Sequence, residues 1–567
     1  MKAKILLVLF LGSVLSACEL LTEPELDNQF TEDRVLKDPA FAEGLLLRSY
    51  RLLPTDYTFE EVATDDAVSN QRGNGYLRMA TGEWSSQFNP LDNWGSSYDA
   101  IFNLNYFLSV VDQVEWSWQS AARNEEFRAR FKGEALALRA YFYFQLLERF
   151  AGVGANGEML GVPIVTEVIG TEDNWKLPRN TYQECITQIQ QDLDQAATLL
   201  PYIWADVDTP DDEADAVHNR TQGKQNQNRI NGKIVKALGA QVALHAASPA
   251  FNLDGSTDEY IAAAAAAADL INEIGGISGL APAGVKFYDQ DADITNPEIF
   301  WRGDFSNSNV RELNNYPPSL FGNGRVNPTQ NLVDAFPAKN GYPIGDAASA
   351  YDPANPYANR DPRLAAYIIH DGNKLGTNTI ETDLSSPVNG LNKVVDYSTR
   401  TGYYLLKLLR PDVNLNPTAI NTRRHFYTHI RYTEIFLIYA EAANEAYGPD
   451  DANTAGFSAR QVMQAIRQRA GISQPDNYLA SLTTKDQMRE LIRNERRLEL
   501  CFEGFRFWDL RRWQENLGEP AKAVAIDNGA YNVMEVENRV YPAHAIYGPV
   551  PFSETIKYEG LLQNEGW

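Results

Sequence analysis

The chain has 567 residues and a formal charge of −25, with 75 acidic side chains against 50 lysines and arginines. A surface this acidic argues against nucleic acid or anionic lipid as the ligand, because both are negatively charged themselves. The length allows a large hydrophobic core, although it exceeds the usual size of one domain.

The N-terminal segment has the layout of a secretory signal. An apolar run over residues 5–15 follows two lysines and is too short to span a membrane. Small residues then lead directly to Cys18, which matches a bacterial lipobox. We therefore expect residues 1–17 to be removed as a signal peptide, Cys18 to carry lipid, and residues 18–40 to form a tether. Several acyl chains on one residue give a stable anchor. The alternative is a plain secreted protein.

After this leader, no stretch is long and apolar enough for a transmembrane helix, so we expect a water-soluble body held at the membrane by its anchor alone. Cys185 and Cys501 lie in apolar, helical-looking segments. We interpret both as buried small residues. A disulfide between them stays open as an alternative, because sequence does not report distance.

Helical periodicity dominates the rest of the chain. After a first helix that begins near Pro39, the predicted helices cover residues 94–113, 127–150, 180–200, 229–248, 258–274, 430–447, 456–470 and 484–513. The seven alanines of 262–268 favour close packing between helices. Periodicity alone predicts an array of helical hairpins, one of them formed by residues 430–447 and 456–470, with no clean repeat period.

Two long stretches lack this periodicity. Residues 202–228 are acidic and then rich in Gln and Asn, which predicts an exposed excursion. Residues 275–425 are rich in Gly, Pro, Asn and Tyr, with short strand-like pieces such as residues 298–301. An irregular span of this length in a compact protein is usually functional. We therefore predict that the helices form a scaffold and the loops a working surface.

A set of motifs extends over nearly all of the chain after the leader. They are the lipobox, Asp92–Asn105, Gly133–Ala135 with Arg139–Phe144, Gly161–Val165, Arg431–Glu434 with Tyr439–Ala442, Arg467–Gly471 and, most specific, Asn494–Trp513. In this order they resemble the SusD/RagB family of outer-membrane nutrient-binding lipoproteins of Bacteroidetes. Cys501, where the family commonly has a small apolar residue, and Tyr547–Pro551 depart from the family pattern.

The resemblance implies a mainly α-helical fold, in which about four tetratricopeptide-like helix pairs form an array packed against a loop-rich half with few short strands. It implies one unit over residues 41–567, with an N-terminal half over 41–275 and a loop-rich, C-terminal half over 276–567. It also implies a cell-surface lipoprotein that captures a nutrient, commonly a glycan, and delivers it to a SusC-like TonB-dependent transporter. We expect no enzymatic activity and no cofactor. Glu19 and Glu23 fit only partly the acidic pattern that favours surface display.

The signature around Gly504 is expected to be structural. A glycine suits a helix end where the backbone is left-handed, and four neighbouring aromatic residues would pack around that corner: Phe502, Phe505, Phe507 and Trp508. Arg496 and Glu499 stand three residues apart on one predicted helix and are expected to pair.

Two patterns resemble metal sites without matching them. His425 and His429 have the spacing of a helical zinc pair, but Phe426 stands where metalloproteases carry a glutamate, so we attribute the spacing to chance. The carboxylates Asp289, Asp291 and Asp293 begin like a calcium loop. The glycine and the closing glutamate that an EF-hand requires are absent, which leaves only an irregular structural calcium site as an alternative.

A sugar receptor needs apolar ring faces surrounded by polar side chains, and two loop clusters supply both. The first comprises Asp65, Asp66, Asn70, Arg72, Asn74, Tyr76, Arg78, Trp84, Gln87 and Asn89. The second comprises Trp301, Arg302, Asp304, Phe305, Asn307, Asn314, Asn315, Tyr316, Phe321, Asn323 and Arg325.

From these clusters we select nine candidate ligand-binding residues: Trp84, Trp301, Tyr316, Asp65, Asp66, Arg78, Asn89, Arg302 and Asn315. Trp84 and Trp301 are the preferred stacking platform. The alternative for each aromatic residue is that it packs the loops onto the helices.

Three functions stay open at this point. The first is a non-enzymatic glycan receptor, and the second is a receptor of the same type for peptides, of which the acidic charge favours basic ones. The third is a surface glycan hydrolase, which needs a deep cleft with a raised-pKa carboxylate opposite a second one. A lid that serves transporter assembly and binds no ligand is a further alternative.

Overall fold

The computed structural model describes residue 36 and residues 38–170, 172–209, 212–289 and 296–567. The predicted signal peptide, Cys18 and nearly all of the tether lie outside these residues. The α-helices are α1 (Pro39–Tyr50), α2 (Gly75–Arg78), α3 (Trp94–Val110), α4 (Ala121–Phe150), α5 (Tyr182–Leu199), α6 (Glu213–Gln222), α7 (Gly232–Ala247), α8 (Thr257–Glu273), α9 (Val310–Asn315), α10 (Gln330–Ala335), α11 (Pro362–Tyr367), α12 (Tyr432–Tyr447), α13 (Ala459–Arg469), α14 (Asn477–Ser481), α15 (Lys485–Glu499), α16 (Arg506–Arg512) and α17 (Phe552–Thr555).

The strands are short. They are β1 (Ala67–Ser69), β2 (Gly152–Val153), β3 (Met159–Leu160), β4 (Ile299–Arg302), β5 (Ser306–Ser308), β6 (Val326–Pro328), β7 (Ile368–Ile369), β8 (Asn373–Leu375), β9 (Asn378–Ile380), β10 (Tyr404–Leu405), β11 (Arg423–His425), β12 (Thr428–Arg431), β13 (Ala521–Asp527) and β14 (Ala530–Glu537).

The long helices form an array in which each packs on the next. The order of contact runs α1, α3, α4, α5, α7, α8 and α12, and α12 then packs on α13 and α15. The alanine run lies in α8, where Ala263, Ala264 and Ala267 are buried between α7 and α12. Small side chains let the three helix axes approach closely. The predicted tetratricopeptide-like helical array is therefore confirmed, as is the packing of α12 on α13.

Side-chain caps fix where several of these helices begin. Thr181 and Glu184 form a reciprocal capping box at the start of α5, and Thr484 with Gln487 forms one at the start of α15. Such a pair satisfies two backbone N–H groups that the first helical turn leaves without partners. The predicted boundaries at residues 180 and 484 accordingly lie within two residues of the observed ones.

Two predictions on helix extent were wrong. The block at residues 484–513 is two helices, α15 and α16, because Phe502 (φ 65°) and Gly504 (φ 87°) are left-handed between them. The stretch 202–228 is not wholly an exposed excursion. It contains α6, which packs on α4 and buries Val217 and Thr221.

Four strand pairs in the described part of the chain join distant segments, namely β1–β6, β4–β12, β5–β11 and β7–β10, and the other pairs join strands that are close in sequence. Every sheet among the described residues has two antiparallel strands, with the pairs β1–β6, β4–β12, β5–β11, β7–β10, β2–β3, β8–β9 and β13–β14. In the first pair Ser69 lies opposite Val326. This register places the residues after Ser69 beside those before Val326, so the two predicted loop clusters meet there.

The interpretation of two cysteines as buried small residues is confirmed. Cys185 and Cys501 are both free and buried, so no disulfide joins them. Burial raises the pKa of the Cys185 thiol to about 11 and that of Cys501 to about 12.

Among the described residues, no single helix has both the length and the apolar composition to cross a membrane. The helix α8 has sufficient length and apolar composition only when it is counted together with residues Gly276–Lys286, from which a bend of 66° separates it.

Glu441 joins the helical array to the C-terminal signature. Its carboxylate accepts hydrogen bonds from Trp513 Nε1 at 2.7 Å and from Arg512 Nη2 at 2.7 Å. Burial opposes ionisation, but the charge of Arg512 outweighs it and lowers the pKa of Glu441 from 4.5 to about 2. The contact therefore stabilises the fold above the unfolded-state pKa and loses its contribution as the pH falls toward 2.

We expect Glu441→Gln to lower the free energy of unfolding at pH 7 by on the order of 3 kcal/mol, the equivalent of this pKa shift. The difference from wild type should shrink as the pH is lowered through the range from 4.5 to about 2. Urea unfolding at a series of pH values measures it. A difference that does not change with pH would contradict the ionised pairing.

Candidate ligand-binding surface

Most of the nine predicted ligand residues lie inside the protein. Trp84 is 7% exposed, and its ring lies against those of Trp567 (centroids 4.8 Å apart) and Phe507 (5.7 Å). Its Nε1 donates to Asn89 Oδ1 at 3.0 Å. Arg78 reaches the surface, where it pairs with Glu83. The ring of Trp84 therefore fills a core and does not form a surface platform.

Asp65 and Asp66 bind arginines of the C-terminal signature. Asp65 Oδ2 accepts from Arg497 Nη2 at 2.7 Å and from Arg506 Nη2 at 3.1 Å, and Arg497 Nε donates to Asp66 Oδ1 at 2.7 Å. Burial opposes ionisation of Asp65, but the two arginines outweigh it and its pKa is lowered. These contacts bind the segment that precedes β1 to helices α15 and α16.

The candidates of the second cluster are also buried. Trp301, in β4, lies against His429 (centroids 4.3 Å apart) and Tyr141 (5.7 Å). Tyr316 donates its hydroxyl to Arg410 O at 2.7 Å, and Asn315 Nδ2 donates to Arg311 O at 2.9 Å. A separate contact holds Arg302, whose Nη1 donates to Gly303 O at 2.8 Å. The ligand-binding role of the nine residues stays a prediction.

Other members of both clusters do reach one common surface. We call it the loop surface and define it as residues 71–74, 321–325 and 392–397. The β1–β6 pairing brings the first two segments together, and Asn70 Nδ2 donates to Asn323 O at 2.9 Å beneath them. Its exposed side chains are Gln71, Arg72, Phe321, Asn392, Lys393, Val394, Val395, Asp396 and Tyr397, and its half-buried ones are Asn74, Asn323 and Arg325.

The third segment of the loop surface rests on a fixed base. Ser398 Oγ donates to Val388 O at 2.6 Å, and Thr399 N donates to Tyr404 Oη at 3.0 Å. Ser398 and Thr399 are buried, whereas residues 392–397 are exposed. An exposed tip on an anchored base loses little conformational entropy when it binds a ligand.

Gly324 permits the second and third segments to touch. Its φ is +54°, and a Cβ atom there would lie 2.4 Å from Tyr397 O. Any other residue would push the two segments apart.

The loop surface combines aromatic rings with polar groups. Tyr397 is 44% exposed and Phe321 is 51% exposed. The Arg325 guanidinium lies 5.8 Å from the Tyr397 ring centroid, and its Nη1 donates to Asp396 O at 2.8 Å. The guanidinium therefore lies beside the ring, and the Tyr397 side chain remains accessible. An arrangement of this kind suits stacking on the C–H face of a sugar, with hydrogen bonds to its hydroxyls.

Sequence reasoning missed Tyr397 although it placed function in the irregular span that contains it. Its neighbour Ser398 approaches Asn70 across 328 positions, at 3.5 Å between Asn70 Nδ2 and Ser398 O. No local pattern marks such a contact. The available signal was composition, since residues 388–400 carry valines beside Tyr397 within a polar loop.

The two histidines do not share a helix, so the helical zinc spacing does not apply to them. His425 and His429 lie on strands β11 and β12, where His425 contacts Glu312 (3.1 Å) and His429 contacts Trp301. Among the residues that the structure describes, no group of three His, Cys, Asp or Glu side chains is placed to hold a metal ion. Asp291 and Asp293 of the possible calcium site lie outside those residues.

Sequence comparison with known families gives two matches. A model described as the SusD family matches residues 288–567, and one described as starch-binding associating with outer membrane matches residues 40–215. The chain belongs to the SusD family. The description of the model that matches residues 40–215 supports association with the outer membrane.

Individual proteins agree with this assignment. The chain is 22% identical to a SusD-like protein, P38, of Formosa agariphila over 534 residues, covering 89% of this chain and 90% of the relative. A crystal structure of a SusD-like protein from Bacteroides fragilis has the same fold, with a TM-score of 0.74 at 24% identity, covering 95% and 99% of the two chains. A SusD-like carbohydrate binding protein of Bacteroides fragilis gives a TM-score of 0.69 at 20% identity, covering 93% and 100%.

Proposed function

We propose that this protein is a cell-surface lipoprotein, anchored through Cys18, that binds a glycan without cleaving it and delivers it to a SusC-like TonB-dependent transporter. The loop surface carries the proposal. It presents accessible aromatic rings together with Arg, Asn and Gln side chains on an anchored base. The carbohydrate-binding description of a family member with the same fold supports a glycan as the ligand class.

Affinity is expected to come from stacking and from hydrogen bonds at the edges of the sugar rings. Each such contact contributes modestly, which suits a receptor that must release its ligand to a transporter. The acidic charge of the chain favours neutral glycans over polyanionic ones.

The test is calorimetric titration of the chain from residue 19 to 567 with plant, host and microbial polysaccharides and with peptide digests. All contacts described above lie at residue 36 and beyond, so this chain retains them. We expect saturable heat with one glycan class and intact recovery of the ligand. Binding of peptides alone would favour the peptide receptor, and shortened glycan products would favour the hydrolase.

Tyr397→Ala is expected to weaken binding of that glycan by about tenfold or more, the effect of removing a central aromatic contact. Titration of the variant against wild type measures it. The matched control is Trp118→Ala, which removes an aromatic side chain that is 81% exposed between α3 and α4. The control should bind like wild type, and equal weakening in both variants would contradict the assignment of the loop surface.

A further inference from the structure

A cavity of about 250 Å³ lies between α4, α7, α12 and the segment leading into α16. The exposed residues Pro54, Asp56 and Thr58 border it on the solvent side. No residue of the loop surface lines it. A water molecule takes about 30 Å³ in the liquid, so the cavity has room for a guest the size of one sugar ring rather than a chain.

Three buried side chains that line the cavity carry polar atoms without partners. Glu434 is 2% exposed, Arg496 4% and Arg511 3%. Glu434 Oε2, Arg496 Nη1 and Arg511 Nη2 have no hydrogen-bond partner among the described residues. Buried polar atoms in folded proteins are almost always hydrogen-bonded to protein, to ordered water or to a ligand, so an unpartnered set on residues around one cavity indicates that the cavity holds polar molecules.

The unpartnered atoms include both acceptors and donors. Glu434 Oε1 is held by Gln241 Nε2 at 2.7 Å, and burial raises the pKa of this carboxyl to about 7. The two arginines supply N–H groups. Arg496 is already paired with Asp509 at 2.8 Å, and Arg511 donates to the carbonyl oxygen of Ile546 at 2.8 Å. A guest with hydroxyl groups satisfies both kinds of atom, because each hydroxyl donates and accepts.

The charges on the wall favour a neutral guest. An anion would face the carboxyl groups of Glu60, Glu148 and Glu434. A cation would face Arg496 and Arg511, together with two further arginines of the wall, Arg149 and Arg512. Burying an unbalanced charge against either set is costly.

Aromatic rings form much of the remaining wall. Tyr141, Trp301, Tyr427 and Trp508 all line the cavity. Aromatic rings beside a mixed set of donors and acceptors are what a pyranose requires, since its C–H faces are apolar and its edges are polar.

We propose that this cavity is a binding site for a single neutral sugar ring, distinct from the loop surface. Glu434, Arg496 and Arg511 hydrogen-bond the hydroxyl groups, and the aromatic wall packs against the ring. The guest is either a free monosaccharide or the terminal residue of a short oligosaccharide.

Ligand-observed NMR titration of chain 19–567 tests the site, with D-glucose, D-galactose, D-mannose and D-xylose as separate probes. We expect at least one of them to bind saturably, with a Kd of about 1 mM or tighter. Glu434→Met keeps the side-chain size and removes the carboxyl, and should weaken binding at least about tenfold. Glu434→Gln keeps a hydrogen-bonding group and should stay within about threefold of wild type.

Two controls make the outcome unambiguous. Thermal unfolding verifies that each variant is folded, and a crystal soaked with the tightest monosaccharide locates the guest independently of any variant. Absence of saturable binding by all four sugars, or a guest bound outside the cavity, overturns the proposal. A disaccharide that ends in the tightest-binding monosaccharide is titrated as well. If it binds as tightly and is equally sensitive to Glu434→Met, the site takes the terminal residue of an oligosaccharide. If only the monosaccharide binds, the site takes free sugar.

The proposals for the cavity and for the loop surface are tested independently of each other. Tyr397→Ala should leave monosaccharide binding within about twofold of wild type while it weakens polysaccharide binding. Glu434→Met should weaken monosaccharide binding and leave polysaccharide binding within about twofold of wild type.

Discussion

Replacing Arg431 by methionine is expected to lower the free energy of unfolding by about 3–5 kcal/mol. Arg431 stands at the start of α12 and is 2% exposed. Its guanidinium donates to Glu298 Oε1 at 2.7 Å, to Glu503 Oε2 at 2.8 Å and to Glu499 Oε1 at 3.2 Å. Removing it leaves buried carboxylates that have lost a shared cation.

This cluster connects helices of the array to the loop-rich segments beside them. Glu298 precedes β4 in a loop-rich segment, whereas Glu499 ends α15. Arg363 of α11 and Arg469 of α13 also bind Glu499, at 2.9 and 2.6 Å. Destabilisation should therefore be global and should appear as one unfolding transition shifted to lower urea concentration.

Urea unfolding of Arg431→Met against wild type measures the effect. The control is Arg128→Ala, which breaks an exposed pair with Glu125 and should change the free energy of unfolding by less than about 1 kcal/mol. A loss as small as that in Arg431→Met would show that the buried cluster does not hold the helices and the loop-rich segments together.

Trp84→Ala is expected to lower the free energy of unfolding by about 3–5 kcal/mol, the usual cost of deleting a buried aromatic side chain. It should leave the glycan affinity of the folded protein unchanged. The ring is enclosed by Phe507, Tyr541 and Trp567, and its N–H is used by Asn89. The variant leaves a cavity in this cluster and removes nothing from the loop surface.

Combined unfolding and glycan titration distinguish the two roles of Trp84. A Trp84→Ala protein that keeps its stability and loses glycan binding would restore the stacking role that the sequence suggested. It would also place the ligand away from Tyr397.

The helical scaffold follows from local sequence, because periodicity and capping act within a few residues. The left-handed helix end expected at Gly504 is confirmed by its φ of 87°. The single helix predicted over residues 484–513 was nevertheless wrong, because the apolar period continues on both sides of Gly504. Arg496 was expected to pair with Glu499 on one helix face. Instead it binds Asp509 of α16, at 2.8 and 2.9 Å. A partner thirteen positions away becomes available only because the chain turns at Phe502 and Gly504.

The working surface was predicted as a region but not residue by residue. Composition identifies loops rich in aromatic and polar side chains without indicating which side chains point outward. Large rings such as Trp84 and Trp301 gain most from burial and lie inside. Tyr397 reaches solvent because its loop is anchored at Ser398 and Thr399 and leaves only its tip outside.

The most direct test of the loop surface as the glycan site is hydrogen–deuterium exchange with and without the bound polysaccharide. Amide groups in residues 71–74, 321–325 and 392–397 should exchange more slowly when the glycan is bound, with little change in the exposed strand β14. Protection confined to β14 or to the ends of the helical array, with none in the three loop segments, would contradict the account.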